Sequence, residues 1–300
     1  MLRAAVSPSS DPLPRPTFER LWFAYVAVVC VVTITCAHDL AWSAIVGMLG
    51  THAVVAAAAF GTRHLAVHRS PAAARWPRAA LGIVGLPTVF SAVAWLLPAV
   101  HPEPFEYVCL AWDRALFGGD PAVLLHDWLP PLVIEILQLT YACFYALPIV
   151  AAIAALRGSG HAAFDRAVLW CIGGFLASYL GYLLVPTLGP KVILAYEHPV
   201  RGVWLTETVR AAIDAGEANP WDCFPSGHTW LAITSLLVVW RWNRRWFWVL
   251  LLPAVVLIAS TVLLRYHFFV DVVAGALAAY PFARLCDWLA DRDGWPRPAP

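Results

Sequence analysis

Long apolar runs separated by short polar segments dominate the chain. Eight such runs follow a polar, proline-containing N-terminal stretch, and most are close to 20 residues long. A run of about 20 apolar residues is long enough to cross the hydrocarbon core of a bilayer as a helix. The pattern therefore predicts an all-α fold, a polytopic membrane helical bundle with about eight transmembrane helices. The predicted spans are residues 21–37, 40–60, 79–100, 132–156, 167–188, 229–240, 246–264 and 268–285.

The same pattern divides the chain into four regions. Residues 1–20 contain four prolines among Ser, Asp and Arg, which predicts a disordered cytoplasmic tail. Two additional N-terminal transmembrane helices and a basic loop follow over 21–78, then a six-helix core over 79–286 and a cytoplasmic tail over 287–300. The helix of the short sixth run is expected to begin near Ser226. Seven spans remain if the first two runs form a re-entrant pair.

Composition supports a membrane protein and suggests its orientation. Hydrophobic residues make up 61% of the chain and charged residues only 13%, about half the charged fraction of a typical soluble protein. The net charge of +1 gives no basic footprint, so no nucleic-acid partner is expected. With the N-terminus inside, 15 of the 20 Lys and Arg residues fall on inner segments, as the positive-inside rule favours. The five on outer segments are Arg114, Lys191, Arg201, Arg210 and Arg265.

The first stretch of candidate chemistry is WDCFPSGHT, residues 221–229, where a polar turn meets an apolar run. Pro225 can open a helix because the N–H that it lacks would have no helical partner there. Ser226 and Gly227 would then lie on the first turn, whose free N–H groups and partial positive charge suit a phosphate. His228 adds a group that can donate a proton near neutral pH. The alternative is a helix cap beside a structural histidine.

The second stretch is RYHFFVD, residues 265–271, between two apolar runs. His267 and Asp271 are spaced i, i+4, so a helix would place them on one face. A carboxylate bonded to one imidazole nitrogen fixes the tautomer and leaves the other nitrogen as a base or nucleophile. Arg265 can hold phosphate oxygens through two parallel hydrogen bonds. The alternative is an interfacial arginine beside a structural His–Asp pair. The predicted topology places both stretches and Lys191 on the outer side.

Together the two stretches carry a family resemblance. CFPSGHT, followed about 40 residues later by RYHFFVD, resembles the type-2 phosphatidic acid phosphatase superfamily and is most similar to its inositol phosphorylceramide synthase-like branch. The family's first motif is a Lys followed, after six residues, by Arg-Pro. This chain keeps Lys191 and Pro199 and has His198 in the place of the Arg. The resemblance covers roughly residues 80–285.

The third motif of the family departs from the pattern as well. The family carries an Arg six residues before the motif His, a position that Thr261 occupies in this chain. Arg265 lies two residues before His267 instead. These departures leave open whether Arg265 and His198 replace the missing motif arginines.

The resemblance implies a metal-independent membrane enzyme that cleaves a phosphoester of a lipid phosphate or phospholipid through a phosphohistidine intermediate. His267 would attack phosphorus, oriented by Asp271, and His228 would protonate the departing oxygen. Water as acceptor gives a phosphatase, and a lipid or polyol hydroxyl gives a phosphotransferase. No metal or other cofactor is expected, because cationic side chains neutralise the phosphoryl charge. The implied phosphate-binding groups are Lys191, Ser226, Gly227 and Arg265, with His198 as a further candidate.

A transporter or proton-relay protein is the main alternative, because intramembrane His, Asp and Glu residues also mark such pathways. That alternative favours polar groups at midplane depth and an inverted repeat, whereas here the polar groups gather at run ends on one face. We expect an integral protein of the plasma or inner membrane, with its N-terminus in the cytoplasm and its active site on the non-cytoplasmic face.

Three outer features stay open between two interpretations. Glu135, near one end of the fourth run, is either a functional or an interfacial carboxylate. The aromatic segment 105–117 is expected along the membrane interface, as an anchor or as a substrate gate. Cys109 and Cys223 are either joined by a disulfide or, as the apolar surroundings favour, buried free thiols.

Overall fold

The chain folds into helices throughout the part that is described. The computed structural model describes residues 16–101, 105–125, 128–216 and 219–298, so the predicted tail lies outside it over residues 1–15. The described residues contain no β-strand, and Thr187 and Asp222 form an isolated bridge. The prediction of an all-α bundle is confirmed.

Thirteen α-helices and one short 3₁₀ helix, Ala37–Asp39, lie within the described ranges. In chain order the α-helices are α1 (Thr17–Thr35), α2 (Trp42–His68), α3 (Pro71–Val93), α4 (Leu97–Val100), α5 (Glu106–Phe117), α6 (Pro121–Leu124), α7 (Pro131–Ala142), α8 (Ala146–Leu184), α9 (Pro190–Ile193), α10 (Thr206–Gly216), α11 (Gly227–Trp242), α12 (Arg244–Leu263) and α13 (Phe269–Arg292).

Six helices, α1, α2, α3, α8, α12 and α13, are long and apolar enough to cross a membrane by length and composition. Two features account for the difference from the eight predicted runs. Helix α8 carries parts of the fourth and fifth runs, and its helical geometry breaks at Ser159 and Gly160. Gly160 has φ +76°, a left-handed conformation that glycine adopts without strain. Helix α11 has only 16 residues, so the count of eight spans stays a prediction.

Helices extend into both of the predicted tails. Helix α1 begins at Thr17 and α13 continues to Arg292. The two ends hold each other, because Thr17 Oγ1 donates to Asp293 Oδ2 at 2.6 Å and Arg20 Nη1 lies 3.1 Å from Asp293 Oδ1. Helix α1 therefore begins within the predicted N-terminal tail and α13 extends into the predicted C-terminal tail, while the domain division stays a prediction.

Helix α11 lies at the centre of the bundle and carries one of the two predicted motifs at its N-terminus. It packs against α8, α12 and α13 through fully buried residues that include Leu231, Ala232 and Val238. Gly275 of α13 allows close approach, because a Cβ there would collide with the backbone carbonyl of Ser226. This packing places the start of α13 beside the start of α11.

Paired charges gather at the opposite end of the bundle. Arg166, nearly fully buried, binds both Asp287 and Asp291 of α13. A buried cation is tolerated when its charge and its donors are matched in this way. Further ion pairs of this end are Arg241–Asp287, Arg75–Asp165, Arg78–Glu19 and Arg20–Asp293. The inner segments of the predicted topology thus meet at one end, and the two histidine stretches meet at the other.

Candidate active site

The loop between α12 and α13 carries His267. Helix α12 ends at Leu263, and the turn that follows includes Arg265 with φ +71°. The backbone N–H of His267 donates to Thr261 O at 2.8 Å, and α13 begins only at Phe269. His267 therefore precedes the helix, and the prediction that it shares a helical face with Asp271 is wrong. The two side chains still meet, because the loop turns back over the first turn of α13.

One nitrogen of His267 is held by a backbone carbonyl. Nδ1 lies 2.9 Å from Cys223 O, and a carbonyl oxygen can only accept, so Nδ1 carries the proton. Asp271 Oδ2 lies 3.6 Å from the same Nδ1, close enough for charge attraction but too far for a good hydrogen bond. The carbonyl thus fixes the tautomer, and Nε2 keeps its lone pair.

His228 faces that lone pair. It is the second residue of α11, and its Nδ1 lies 3.3 Å from His267 Nε2. Its ring stacks on Tyr141, with centroids 4.7 Å apart, and packs against Phe144 at 4.3 Å. Aromatic walls on two sides restrict the imidazole to the orientation that points at His267. Residues of the two motifs that are 39 positions apart in sequence therefore meet through their ring nitrogens.

Ser226 and Gly227 build the start of α11. Ser226 is the N-cap, and its Oγ accepts from Thr229 N at 3.3 Å while its backbone N–H donates to Asp271 O at 3.0 Å. A Cβ at Gly227 would collide with the Tyr182 hydroxyl. Helix α11 thus begins at Gly227, and Pro225 and Ser226 precede it instead of forming its first turn, as the sequence had predicted.

Lys191, one of the two predicted cations, lies beside Tyr266, next to His267. Lys191 Nζ is 2.9 Å from Asp214 Oδ1 and 4.8 Å from the centre of the Tyr266 ring. Its backbone N–H donates to Arg265 O at 2.9 Å. Tyr266 stacks on Tyr141 at 4.0 Å, so one aromatic column joins the cations to His228.

Arg265 is directed away from this column. Its Nη1 donates to His198 O at 2.8 Å, and its guanidinium lies 3.8 Å from the centre of the Tyr196 ring. His198 thus meets Arg265 through its main chain. The structure brings His228, His267 and Asp271 into direct contact and places Lys191 beside them, with Arg265 and His198 on the adjoining loop.

Arg210 is a cation of the site that the motifs did not identify. It belongs to α10, its Nη1 donates to Leu264 O at 3.1 Å, and its guanidinium lies 5.0 Å from the centre of the Tyr266 ring. Helix α10 also supplies Asp214, the partner of Lys191. No spacing relation to either motif marks this helix, so only the fold could reveal its position.

Glu135 anchors the segment that leads into α10. Its carboxylate accepts hydrogen bonds from the backbone N–H groups of residues 203–206 and from Thr206 Oγ1, at distances of 2.7–3.3 Å. A carboxylate with this many donors is well satisfied in a buried position. Glu135 is therefore a structural anchor of the loop over the site.

Cys223 and Asp113 are two more polar residues close to His267 and the start of α13. The thiol of Cys223 donates to Asp271 Oδ2 at 2.7 Å, and burial, together with the Asp271 charge, raises the pKa of Cys223 well above its usual value, so the thiol stays protonated. Asp113 of α5 accepts from Phe269 N at 2.7 Å and from Val270 N at 3.1 Å. The segment 105–117 thus caps the helix that follows His267. Cys109 and Cys223 are both buried free thiols, as the apolar surroundings predicted.

One group of side chains in the described ranges has the donor set of a metal site. Cys223, His267 and Asp271 each offer an atom, and these atoms lie within 4.8 Å of one another. Sulfur, nitrogen and oxygen ligands together suit zinc. The same atoms are engaged in the hydrogen bonds just described, which a metal would have to replace.

Comparison with known proteins agrees with this geometry. The family model described as the PAP2 superfamily matches residues 108–284, more than half of the chain. A PA-phosphatase related-family protein of Dictyostelium discoideum is 28% identical over 109 residues, which cover 35% of this chain and 19% of that protein. The match thus spans about a fifth of the relative's length. No solved structure matches the chain. With both histidine motifs inside the matched range, the chain belongs to the PAP2 superfamily.

Proposed function

We propose that the chain is an integral membrane lipid phosphatase or phosphotransferase that forms a phosphohistidine at His267. Membership of the PAP2 superfamily indicates a membrane phosphatase or phosphotransferase in general. The proposal of a phosphohistidine at His267 rests on the tautomer of that residue. Its Nδ1 proton is held by Cys223 O at 2.9 Å, so the Nε2 lone pair is available as a nucleophile beside His228.

The reaction proceeds in two displacements. Nε2 of His267 attacks phosphorus, the bond from phosphorus to the lipid oxygen breaks, and His228 gives its proton to that oxygen. The ring of His267 then carries a positive charge, which Asp271 attracts across 3.6 Å. In the second displacement the oxygen of water or of a hydroxyl acceptor attacks phosphorus and gives its proton to His228, and the bond from phosphorus to Nε2 breaks, which frees His267.

The phosphoryl oxygens are held by groups around this pair. The first-turn N–H groups of α11 at Gly227, with Ser226 as cap, present the positive helix end to the anion. Lys191 binds the phosphate when its ammonium group leaves the carboxylate of Asp214. Arg265 holds the loop through His198 O and adds positive charge to the site. These groups neutralise charge in the transition state without a metal ion.

The active site opens on the non-cytoplasmic face of the membrane in this proposal. Two observations support it. The arginine-rich inner segments meet at one end of the bundle, and the histidine pair lies at the other end. Because cytoplasmic segments carry the excess of Lys and Arg, the histidine end faces outward. A cysteine introduced at position 201 should react with an impermeant thiol reagent in intact cells, and one at position 244 should not. Reversed labelling would contradict the topology.

Purified protein tests the activity directly. Detergent-solubilised protein is offered lipid phosphates and phospholipids, with and without ceramide or inositol as acceptors. We expect phosphate release or phosphoryl-group transfer from the unaltered protein and loss of most activity in His267→Ala and in His228→Ala. Transfer to ceramide or inositol would support the inositol phosphorylceramide synthase-like branch, and phosphate release alone would support a hydrolase. Activity that persists in His267→Ala would contradict the proposal.

A further inference from the structure

A basic cavity lies at the end of the bundle away from the histidine pair. It has a volume of about 330 Å³ and lies among α8, α11, α12 and α13. Among the described residues, its lining contains no carboxylate, and three arginines and three aromatic residues stand out: Arg241, Arg244, Arg284, Trp170, Trp240 and Tyr280. This composition suits an anion that carries an apolar portion.

The arginines of the cavity are partly held in place by their neighbours. Arg241 Nη1 is 2.5 Å from Asp287 Oδ2, and its guanidinium lies 5.6 Å from the centre of the Trp170 ring. Arg244 lies 4.7 Å from the centre of the Trp240 ring. Asp287 also binds Arg166, so one carboxylate is shared by two guanidinium groups. The cavity region therefore keeps a net positive charge.

The position of the cavity along α13 is that of a membrane interface. Arg284 follows Phe269, the first residue of α13, by 15 positions, which corresponds to about 22 Å along the helix axis. The histidine pair lies beside Phe269, so the cavity is close to the opposite leaflet surface. Arginine and tryptophan side chains concentrate at such interfaces.

One face of α13 continues from the cavity toward the middle of the membrane. Val273, Leu277, Tyr280 and Arg284 are spaced i, i+4, i+7 and i+11, so they lie on one stripe of the helix. Leu277 is 71% exposed and Val273 38% exposed. The stripe therefore offers a charged end for a headgroup and an exposed apolar track for an acyl chain.

We propose that this cavity binds an anionic phospholipid of the leaflet opposite the active site. Arginines 244 and 284 contact the lipid phosphate, and the acyl chain lies along Leu277 and Val273. Basic pockets between transmembrane helices are suited to anionic headgroups. The apolar stripe favours a lipid over a free phosphate. The site is separate from the histidine pair, so the proposal does not depend on the catalytic one.

Lipid retention measured by native mass spectrometry tests the proposal. The whole protein is exchanged from detergent into mixtures of phosphatidylglycerol and phosphatidylcholine. We expect preferential retention of phosphatidylglycerol. The double change Arg244→Gln/Arg284→Gln should weaken it by about 25-fold, since each arginine near the surface contributes about a fivefold factor. The matched control is Arg245→Gln/Arg292→Gln, which makes the same charge change on the same two helices outside the cavity.

Three outcomes would overturn the proposal. The first is equal retention of the two lipids, and the second is an equal loss of retention in the control variant. The third is full displacement of the lipid by glycerol phosphate at the same concentration as the lipid, which would indicate a site for the headgroup alone. If the double variant does not fold, the single change Arg284→Gln is tested instead, because the Arg284 side chain is exposed and its replacement should not disturb the fold. We expect that single change to weaken retention about fivefold, and an unchanged affinity would contradict the proposal.

Discussion

Neutralising Asp271 should slow phosphohistidine formation while leaving the fold intact. Asp271→Asn keeps an oxygen that can accept from Phe268 N, which donates to Asp271 Oδ2 at 2.9 Å. It also leaves the bond from His267 Nδ1 to Cys223 O in place. The change therefore removes the negative charge next to His267 and little else.

The size of the effect follows from one distance. Unit charges 3.6 Å apart attract each other by about 4.6 kcal/mol at an effective dielectric constant of about 20. If half of the positive charge has developed on the ring in the transition state, about 2.3 kcal/mol is lost, a slowing of about 50-fold. Full charge development gives about 2,000-fold. We therefore expect a decrease in kcat between these two values.

Single-turnover kinetics with a soluble aryl phosphate measure this loss, and thermal unfolding in the same detergent checks the fold. Glu207→Gln is the matched control, since Glu207 is an exposed carboxylate that pairs with Arg201. A folded Asp271→Asn protein that keeps kcat within about threefold of the unaltered enzyme would refute the reasoning. So would an equal loss in the control, since that would indicate a general charge effect.

Three further outcomes are expected. Chelators should leave activity unchanged, and loss that a divalent ion restores would show that Cys223 and its neighbours hold a metal. Asp214→Asn should lower the inhibition constant for orthovanadate by up to about fivefold, because an exposed ion pair to Lys191 contributes at most about 1 kcal/mol; Glu207→Gln should leave that constant unchanged. Asp113→Ala should lower the free energy of unfolding by about 2–4 kcal/mol, because two N–H groups of α13 lose a charged acceptor; Asp39→Ala, at an exposed carboxylate, should have no measurable effect on it.

The features that could be predicted from the sequence are those with a regular hydrophobic pattern and those formed by residues close together in the chain. Apolar runs predict helices because every backbone group must be paired inside a bilayer. The run of residues 268–285 therefore matches α13 closely. The two histidine motifs were identified from their residue types and predicted to lie on one face. The structure places His228 next to His267. The fourth and fifth runs were predicted as separate spans, and the non-helical backbone at Ser159 and Gly160 divides α8 between them.

Other parts of the site could not be predicted because they depend on tertiary contacts. The partner of His267 Nδ1 is a backbone carbonyl, and every residue has one, so no side chain marks it. Asp113 caps α13 from 156 residues away. Glu135 binds a loop 68–71 residues further along. Long-range contacts of single polar groups leave no periodic signal in a sequence, although Glu135 stood out as a charged residue within an apolar run.

Trapping of the covalent intermediate tests the central claim most directly. An aryl phosphate with a very acidic leaving group needs little protonation, so the first displacement no longer depends on His228. Protein denatured in alkali during turnover, which preserves phosphohistidine, is digested and analysed by mass spectrometry. We predict phosphate on residue 267 in the unaltered protein and in His228→Ala, and none in His267→Ala. Phosphate that persists in His267→Ala and disappears only in His228→Ala would contradict the account.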